Sequence, residues 1–129
     1  MSAAILDEKT FQRFCKILKG KALHHVDTLS QECALLLDEL QVQDWESVAF
    51  TAHKLKSSAG QVGAKALAAQ IGALEACVAK GIESNAAFSE GEAWVEMTKT
   101  LESLIRETNQ AFEVARSTMT QPIQPVSSG

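Results

Sequence analysis

A histidine, a lysine three residues later and a run of small side chains after it make up the stretch with the most evident chemistry: Thr51-Ala52-His53-Lys54-Leu55-Lys56-Ser57-Ser58-Ala59-Gly60-Gln61-Val62-Gly63. Neutral imidazole is a good nucleophile near neutral pH, with an unperturbed pKa of about 6.5. A lysine one helical turn away attracts an anion as a point charge. Read as a helix, Val48, Ala52, Leu55, Ala59 and Val62 recur at steps of four and three, an apolar stripe of the kind one helix buries against others. At roughly 100° per residue, His53 lies about 140° from the centre of that stripe, which puts it on the rim or the open face. Ala49, Phe50, Lys56, Ser57 and Gly60 share that face. Ala49, Ser57 and Gly60 are small enough for a second surface to come close to the ring. Gly60 in a helix interior costs about 1 kcal/mol against Ala, so its bareness points to something other than helix stability. Alone, a His and a Lys on a helix are more often solvated than functional; the pattern around them carries the weight.

That pattern, His53-x-Leu55-Lys56 with Ser57, Ser58, Ala59 and Gly60, then Val62-Gly63, resembles the histidine phosphotransfer (HPt) domain of multistep two-component phosphorelays. The likeness is tight over about a dozen residues and looser over the remaining helices. One position departs from the family pattern: Ser57 stands where the family usually has Gly, still small but slightly less open. The resemblance implies that His53 is the phosphorylated residue. It also implies a Glu or Gln on the following helix that hydrogen-bonds the imidazole, and Glu75, 22 residues after His53, is in that register. Such a partner would hold the Nδ1 proton and leave Nε2 free to attack. Lys56 would attract the phosphoryl oxygens, Ser57 and Gly60 would admit the loops of a receiver domain, and Phe50 and Ala49 are candidate docking residues. Ala49 reads equally well as a residue bordering the core.

The elements that must position these residues are helical. The 129 residues are 46% hydrophobic and 22% charged, in line with one soluble globular domain. Aromatics are few, Tyr is absent, and the two prolines fall in the last eight residues, a helix-forming composition. A net charge of −4 argues against nucleic acid or an anionic membrane as the main partner. Cys15, Cys33 and Cys77 show no CxxC spacing and lie on or beside apolar stripes, the pattern of buried free thiols in a reducing compartment. With no long apolar run and no signal pattern, the expected location is cytoplasmic. Since HPt domains occur alone and at the C-terminal end of membrane-bound hybrid sensor kinases, the resemblance admits the cytoplasmic end of such a kinase as well.

In chain order, residues 1–6 are expected to be loose. Asp7 caps a short helix to about Lys19 carrying Phe11, Phe14 and Leu18, and Gly20 stops it. A second helix runs from about Lys21 to Leu40 or Gln41, with Val26, Leu29, Cys33, Leu36 and Leu40 inward and Leu35 and Leu37 widening the stripe. The adjacent His24 and His25 point about 100° apart on a helix and make a poor chelate. Asp44 caps the His53 helix, Trp45 packs over a helix end, and Gly63 ends or bends the chain after Val62. Ala64 to Lys80 forms the fourth helix on Leu67, Ile71, Leu74 and Val78, with Glu75 just off the stripe and Gly81 as stop. Asn85 is a candidate cap for a long last helix, about Ala87 to Ser117, on Trp94, Met97, Leu101, Leu104, Thr108, Ala111 and Ala115, with Gly91 delaying its onset. The fold class is therefore all-α: an antiparallel up-and-down four-helix bundle over residues 7–117 with a short additional N-terminal helix, then a flexible tail over 118–129. That is also the fold the resemblance implies.

The chain has no Gly-rich phosphate loop with its Lys and Ser/Thr, and no strand-end acidic triad for Mg²⁺, so no kinase or ATPase activity of its own is expected. By the resemblance, the partners are response-regulator receiver domains and a sensor or hybrid histidine kinase. The receiver brings Mg²⁺ and the aspartyl phosphate, and this chain needs no cofactor or metal. His53 would accept the phosphoryl group from a receiver aspartate and pass it to another receiver. Monomer is the default for a closed bundle. The competing expectation is a helical interaction module in which His53 is incidental.

Overall fold

The structure, a computed structural model, describes residues 5–84 and 89–120. Among these residues five α-helices follow one another: α1 (Glu8–Leu18), α2 (Ala22–Gln41), α3 (Trp45–Gln61), α4 (Lys65–Ser84) and α5 (Glu92–Thr120), with a 3₁₀ turn over Lys19–Lys21 joining α1 to α2. Among the described residues there is no strand. Helices α2 to α5 pack in sequence, and α5 returns against α2, so the four close into the expected antiparallel bundle. The core is the set of inward stripes: Val26, Leu29, Cys33 and Leu36 of α2; Val48, Ala52, Leu55 and Ala59 of α3; Leu67, Ile71, Leu74 and Val78 of α4; Leu101, Ile105 and Phe112 of α5. Two polar bonds tie α5 in place: the Ser30 hydroxyl donates to Asn109 Oδ1 at 2.9 Å, and Gln70 Nε2 donates to the Met97 carbonyl at 3.2 Å.

α1 covers the end of the bundle where α3 turns into α4. The Asp7 N–H donates to the Gly63 carbonyl at 2.8 Å, Lys65 Nζ lies 3.1 Å from Asp7 Oδ2, and the Phe11 ring stacks against Phe112 of α5. Gly63 has φ of 90°, and a Cβ there would lie 2.9 Å from the Asp7 carbonyl oxygen. Both backbone conformation and space exclude a side chain. Gly63→Ala is expected to cost about 1–3 kcal/mol, read as a lower thermal midpoint; an unchanged midpoint would show that the turn relaxes freely.

Several boundaries differ from the sequence expectation. Asp7 stands at the N-cap of α1, but its carboxylate takes the Thr10 hydroxyl and Lys65 instead of a backbone N–H. α1 does end just before Gly20, at Leu18, but Gly20 is not its left-handed cap: it lies inside the 3₁₀ turn, and Lys19 takes the positive φ of 51°. Gly81 is no stop. It is buried within α4, which continues to Ser84. Asn85 lies outside the described residues. α5 begins at Glu92, just after Gly91, and runs to Thr120, past the expected end at Ser117. Its inward line is Leu101, Ile105, Thr108 and Phe112, with Trp94, Met97 and Leu104 only partly buried. Leu35 is 47% exposed and does not widen the α2 stripe. All three cysteines are free, but only Cys33 is buried, and burial pushes its thiol up to about 12.

Candidate functional site

His53 is the midpoint of α3, and three local causes put it where it is. Asp44 caps the helix, its Oδ1 accepting the Ser47 N–H at 3.3 Å. Trp45, in the first turn, meets Trp94 of α5 edge-on with ring centroids 5.5 Å apart. Leu55, two residues from His53, is fully buried; its burial contributes about 1.5–3 kcal/mol and fixes the rotation of α3. The opposite face then carries His53 outward, its side chain 74% exposed.

Glu75 is brought to His53 by the α3–α4 hairpin. His53 lies eight residues before the end of α3 and Glu75 ten residues after the start of α4. At a rise of about 1.5 Å per residue these are roughly 12 and 15 Å from the turn. Helical side chains lean toward their own N-terminus. In an antiparallel pair that tilts Glu75 toward the turn and His53 away from it, closing the difference. Alanines at 52, 59 and 64, all fully buried, keep α3 and α4 close enough for the two side chains to touch. Leu74, also fully buried, sets the rotation of α4 that leaves Glu75 on the rim.

The result is a bridged triad. His53 Nδ1 is 2.8 Å from Glu75 Oε2, and Lys56 Nζ is 2.8 Å from Glu75 Oε1. The Glu75 carboxyl is held below the usual carboxylate range chiefly by the Lys56 hydrogen bond; burial opposes this, and the His53 hydrogen bond adds a smaller lowering effect. An ionised carboxylate only accepts hydrogen bonds, so the proton between Glu75 and His53 belongs to Nδ1. His53 Nδ1–H therefore donates to Glu75, and in the neutral ring this leaves the lone pair on Nε2. The pairing of His53 with Glu75 is the one the resemblance implied. The position of Lys56 is different: its ammonium rests on Glu75.

The candidate docking residues fall around this triad on α3. Phe50 is 69% exposed, Ser57 is exposed and Gly60 half-buried. A Cβ at Gly60 would meet nothing within 4 Å, so its bareness serves no packing inside the chain. Ala49 is half-buried and packs against the core. Sequence reasoning missed one part of this surface. Lys54 Nζ lies 3.2 Å from Glu32 Oε2 of α2 and 5.5 Å from the centre of the Phe50 ring, which extends the face from α3 onto α2. The spacing of Phe50 and Lys54 at i, i+4 was a readable signal; Glu32 had none, since a helix stripe does not say which neighbour it meets. His24 and His25 lie on α2, their rings edge-on, with His25 also edge-on to Phe14. Among the described residues, no group of three or more His, Cys, Asp or Glu is placed to hold a metal ion, and no helix is long and apolar enough to cross a membrane.

Over residues 14–111 the sequence matches the model of the family described as the Hpt domain. No curated protein matches the chain. Among solved structures, the fold is similar to the crystal structure of histidine-containing phosphotransfer protein B from Pseudomonas aeruginosa PAO1, at 21% identity and a TM-score of 0.71, with 91% of this chain and 98% of that chain covered.

Proposed function

The chain belongs to the Hpt domain family, and on that premise we propose that His53 takes a phosphoryl group from the aspartyl phosphate of one receiver domain and gives it to the aspartate of another. A histidine phosphotransfer role in a phosphorelay follows from the family. The observation that carries the proposal is the His53–Glu75 hydrogen bond at 2.8 Å on an open helix face. In the step, the Nε2 lone pair attacks phosphorus, the bond between phosphorus and the aspartyl oxygen breaks, and the receiver carboxylate leaves with the electron pair. Nδ1 keeps its proton. The phosphoimidazole is thus cationic on the ring, and the Glu75 carboxylate lies against that charge. The same positive ring makes the phosphoryl group easy to pass on, so the exchange runs both ways. The receiver supplies Mg²⁺ and most of the transition-state stabilisation, and this chain supplies the positioned nucleophile, the Lys56 charge and the docking face.

The test is transfer from a phosphorylated receiver domain to the chain. An acid-labile, base-stable label supports phosphohistidine; no label with a panel of receivers favours the interaction module. The docking face makes a further prediction. Gly60→Leu fits the free chain, because the space outside Gly60 is open, and replacing a helical glycine with a good helix former gains roughly 1 kcal/mol. Transfer should nevertheless slow at least several-fold, since the new side chain meets the receiver. Equal rates would move the docking face away from Gly60.

A further inference from the structure

On its way to Glu75 the Lys56 stem passes beside Gly72 of α4. We propose that Gly72 is a positioning residue for phosphotransfer: carrying no side chain, it leaves the path along which the Lys56 stem reaches Glu75. A Cβ on Gly72 would lie 3.2 Å from Lys56 Cδ, closer than the optimal carbon–carbon separation of about 3.5–4.0 Å. Among the described residues, apart from the helix's own backbone and the adjoining residues, no other atom lies within 4 Å of that position. Lys56 is therefore, among the described residues, the neighbour that benefits from a bare Gly72. The atom met is two bonds short of Nζ, which sits 2.8 Å from Glu75 Oε1. Gly72 precedes Glu75 by three residues and so shares its face of α4.

Glycine is the poorest helix former after proline, and Gly72 stands in the interior of α4. The chain gives up helix stability there and gains room for a lysine stem. The consequence runs through the triad. With Nζ on Oε1, the Lys56 ammonium holds the Glu75 carboxylate where its other oxygen accepts the hydrogen bond of the His53 Nδ1–H, which aims the Nε2 lone pair outward. A side chain at Gly72 pushes the stem aside and loosens Nζ from the carboxylate. The bridge from Lys56 through Glu75 to His53 is then one bond shorter. This inference rests on the phosphotransfer reading above.

The experiment compares wild type, Gly72→Ala, Gly72→Val, Lys56→Ala and the double variant Lys56→Ala/Gly72→Ala in the full chain. Two readouts are taken: the titration of the Glu75 carboxyl by carbon NMR, and the rate of transfer from a phosphorylated receiver. Gly72→Ala should melt no lower than wild type, because alanine favours the helix. Its Glu75 midpoint should nevertheless move up toward the ordinary carboxylate range, and further in Gly72→Val, with transfer slowed several-fold in the same order. On the Lys56→Ala background, adding Gly72→Ala should change neither readout. A Glu75 midpoint unmoved in both Gly72 variants would overturn the proposal, as would equal slowing with and without Lys56. If Gly72→Val does not fold, Gly72→Ala decides alone. The titration needs no receiver, so the two readings fail separately: a wild-type chain that accepts no phosphoryl group sinks phosphotransfer and the proposal with it, whereas an unmoved titration in a chain that does accept it sinks the proposal only.

Discussion

Replacing His53 with Gln should abolish phosphoryl acceptance and leave the thermal midpoint within a few degrees of wild type. The loss is total because an amide nitrogen has its lone pair in the carbonyl system and offers no nucleophile, while Lys54 and Lys56 nearby are ammonium ions with none to offer either. The small stability effect follows from exposure. The His53 side chain is 74% exposed, and its bond to Glu75 lies on the surface, where such pairs are worth about 0–1 kcal/mol. The residues that hold α3, Val48, Ala52, Leu55 and Ala59, are untouched and fully buried. The measurement is the acid-labile, base-stable label on wild type and His53→Gln side by side, with melting followed by circular dichroism. A label retained by His53→Gln would move the site to His24 or His25, the only other histidines. A chain that unfolds would make His53 structural.

The fold was legible because the inward stripes of α2, α3 and α4 keep strict spacing, and because α3 has a strong start and stop. Asp44 before Trp45 and Gly63 after Val62 bound α3, and the structure puts both at its ends. Reading failed where a residue's neighbours decide its role. Gly81 looks like a stop in one dimension, yet it is buried inside α4, which runs on to Ser84; at Gly20 the helix does end, but Lys19 and not the glycine takes the positive φ. In α5, apolar side chains at 101, 104, 105, 111, 112 and 115 allow two overlapping stripes. Periodicity favours one, but the gap left by α2, α4 and Phe11 selects the line through Ile105 and Phe112. The site divides the same way. The face carrying His53 follows from helix angles alone. Glu75 was found by its register in a family pattern, since nothing in one sequence says that two helices meet at positions 53 and 75. That Lys56 rests on Glu75 was not legible at all, because a flexible lysine at i+3 from the histidine reaches either the solvent or the next helix, and only the packed pair of α3 and α4 decides.

That resting place of Lys56 makes Glu75 the residue with the second largest expected effect. Glu75→Ala should slow transfer by about 10–100-fold, the range seen when a partner that orients an imidazole is removed, without abolishing it, since Nε2 remains a nucleophile in part of the ring's tautomers and rotamers. Glu75→Gln separates the two things the carboxylate does. Its amide oxygen still accepts the Nδ1 proton, but it carries no charge against the phosphorylated ring and gives Lys56 no ion pair. If aiming the lone pair dominates, Gln is close to wild type. If the charge dominates, Gln is as slow as Ala. Acidity distinguishes these further. The folded Glu75 carboxyl titrates below its ordinary value, chiefly through the Lys56 hydrogen bond, so its contribution is complete above the unfolded carboxylate pKa and disappears only as pH falls through the lower folded value. Between about pH 5 and 8 the wild-type triad is therefore constant in charge at Glu75. In Lys56→Ala the Glu75 titration should shift upward, and transfer should begin to fall at a higher pH than in wild type. Identical acid limbs in the two proteins would mean that Glu75 does not need Lys56 to stay ionised, and Lys56 would then act on the phosphoryl group alone.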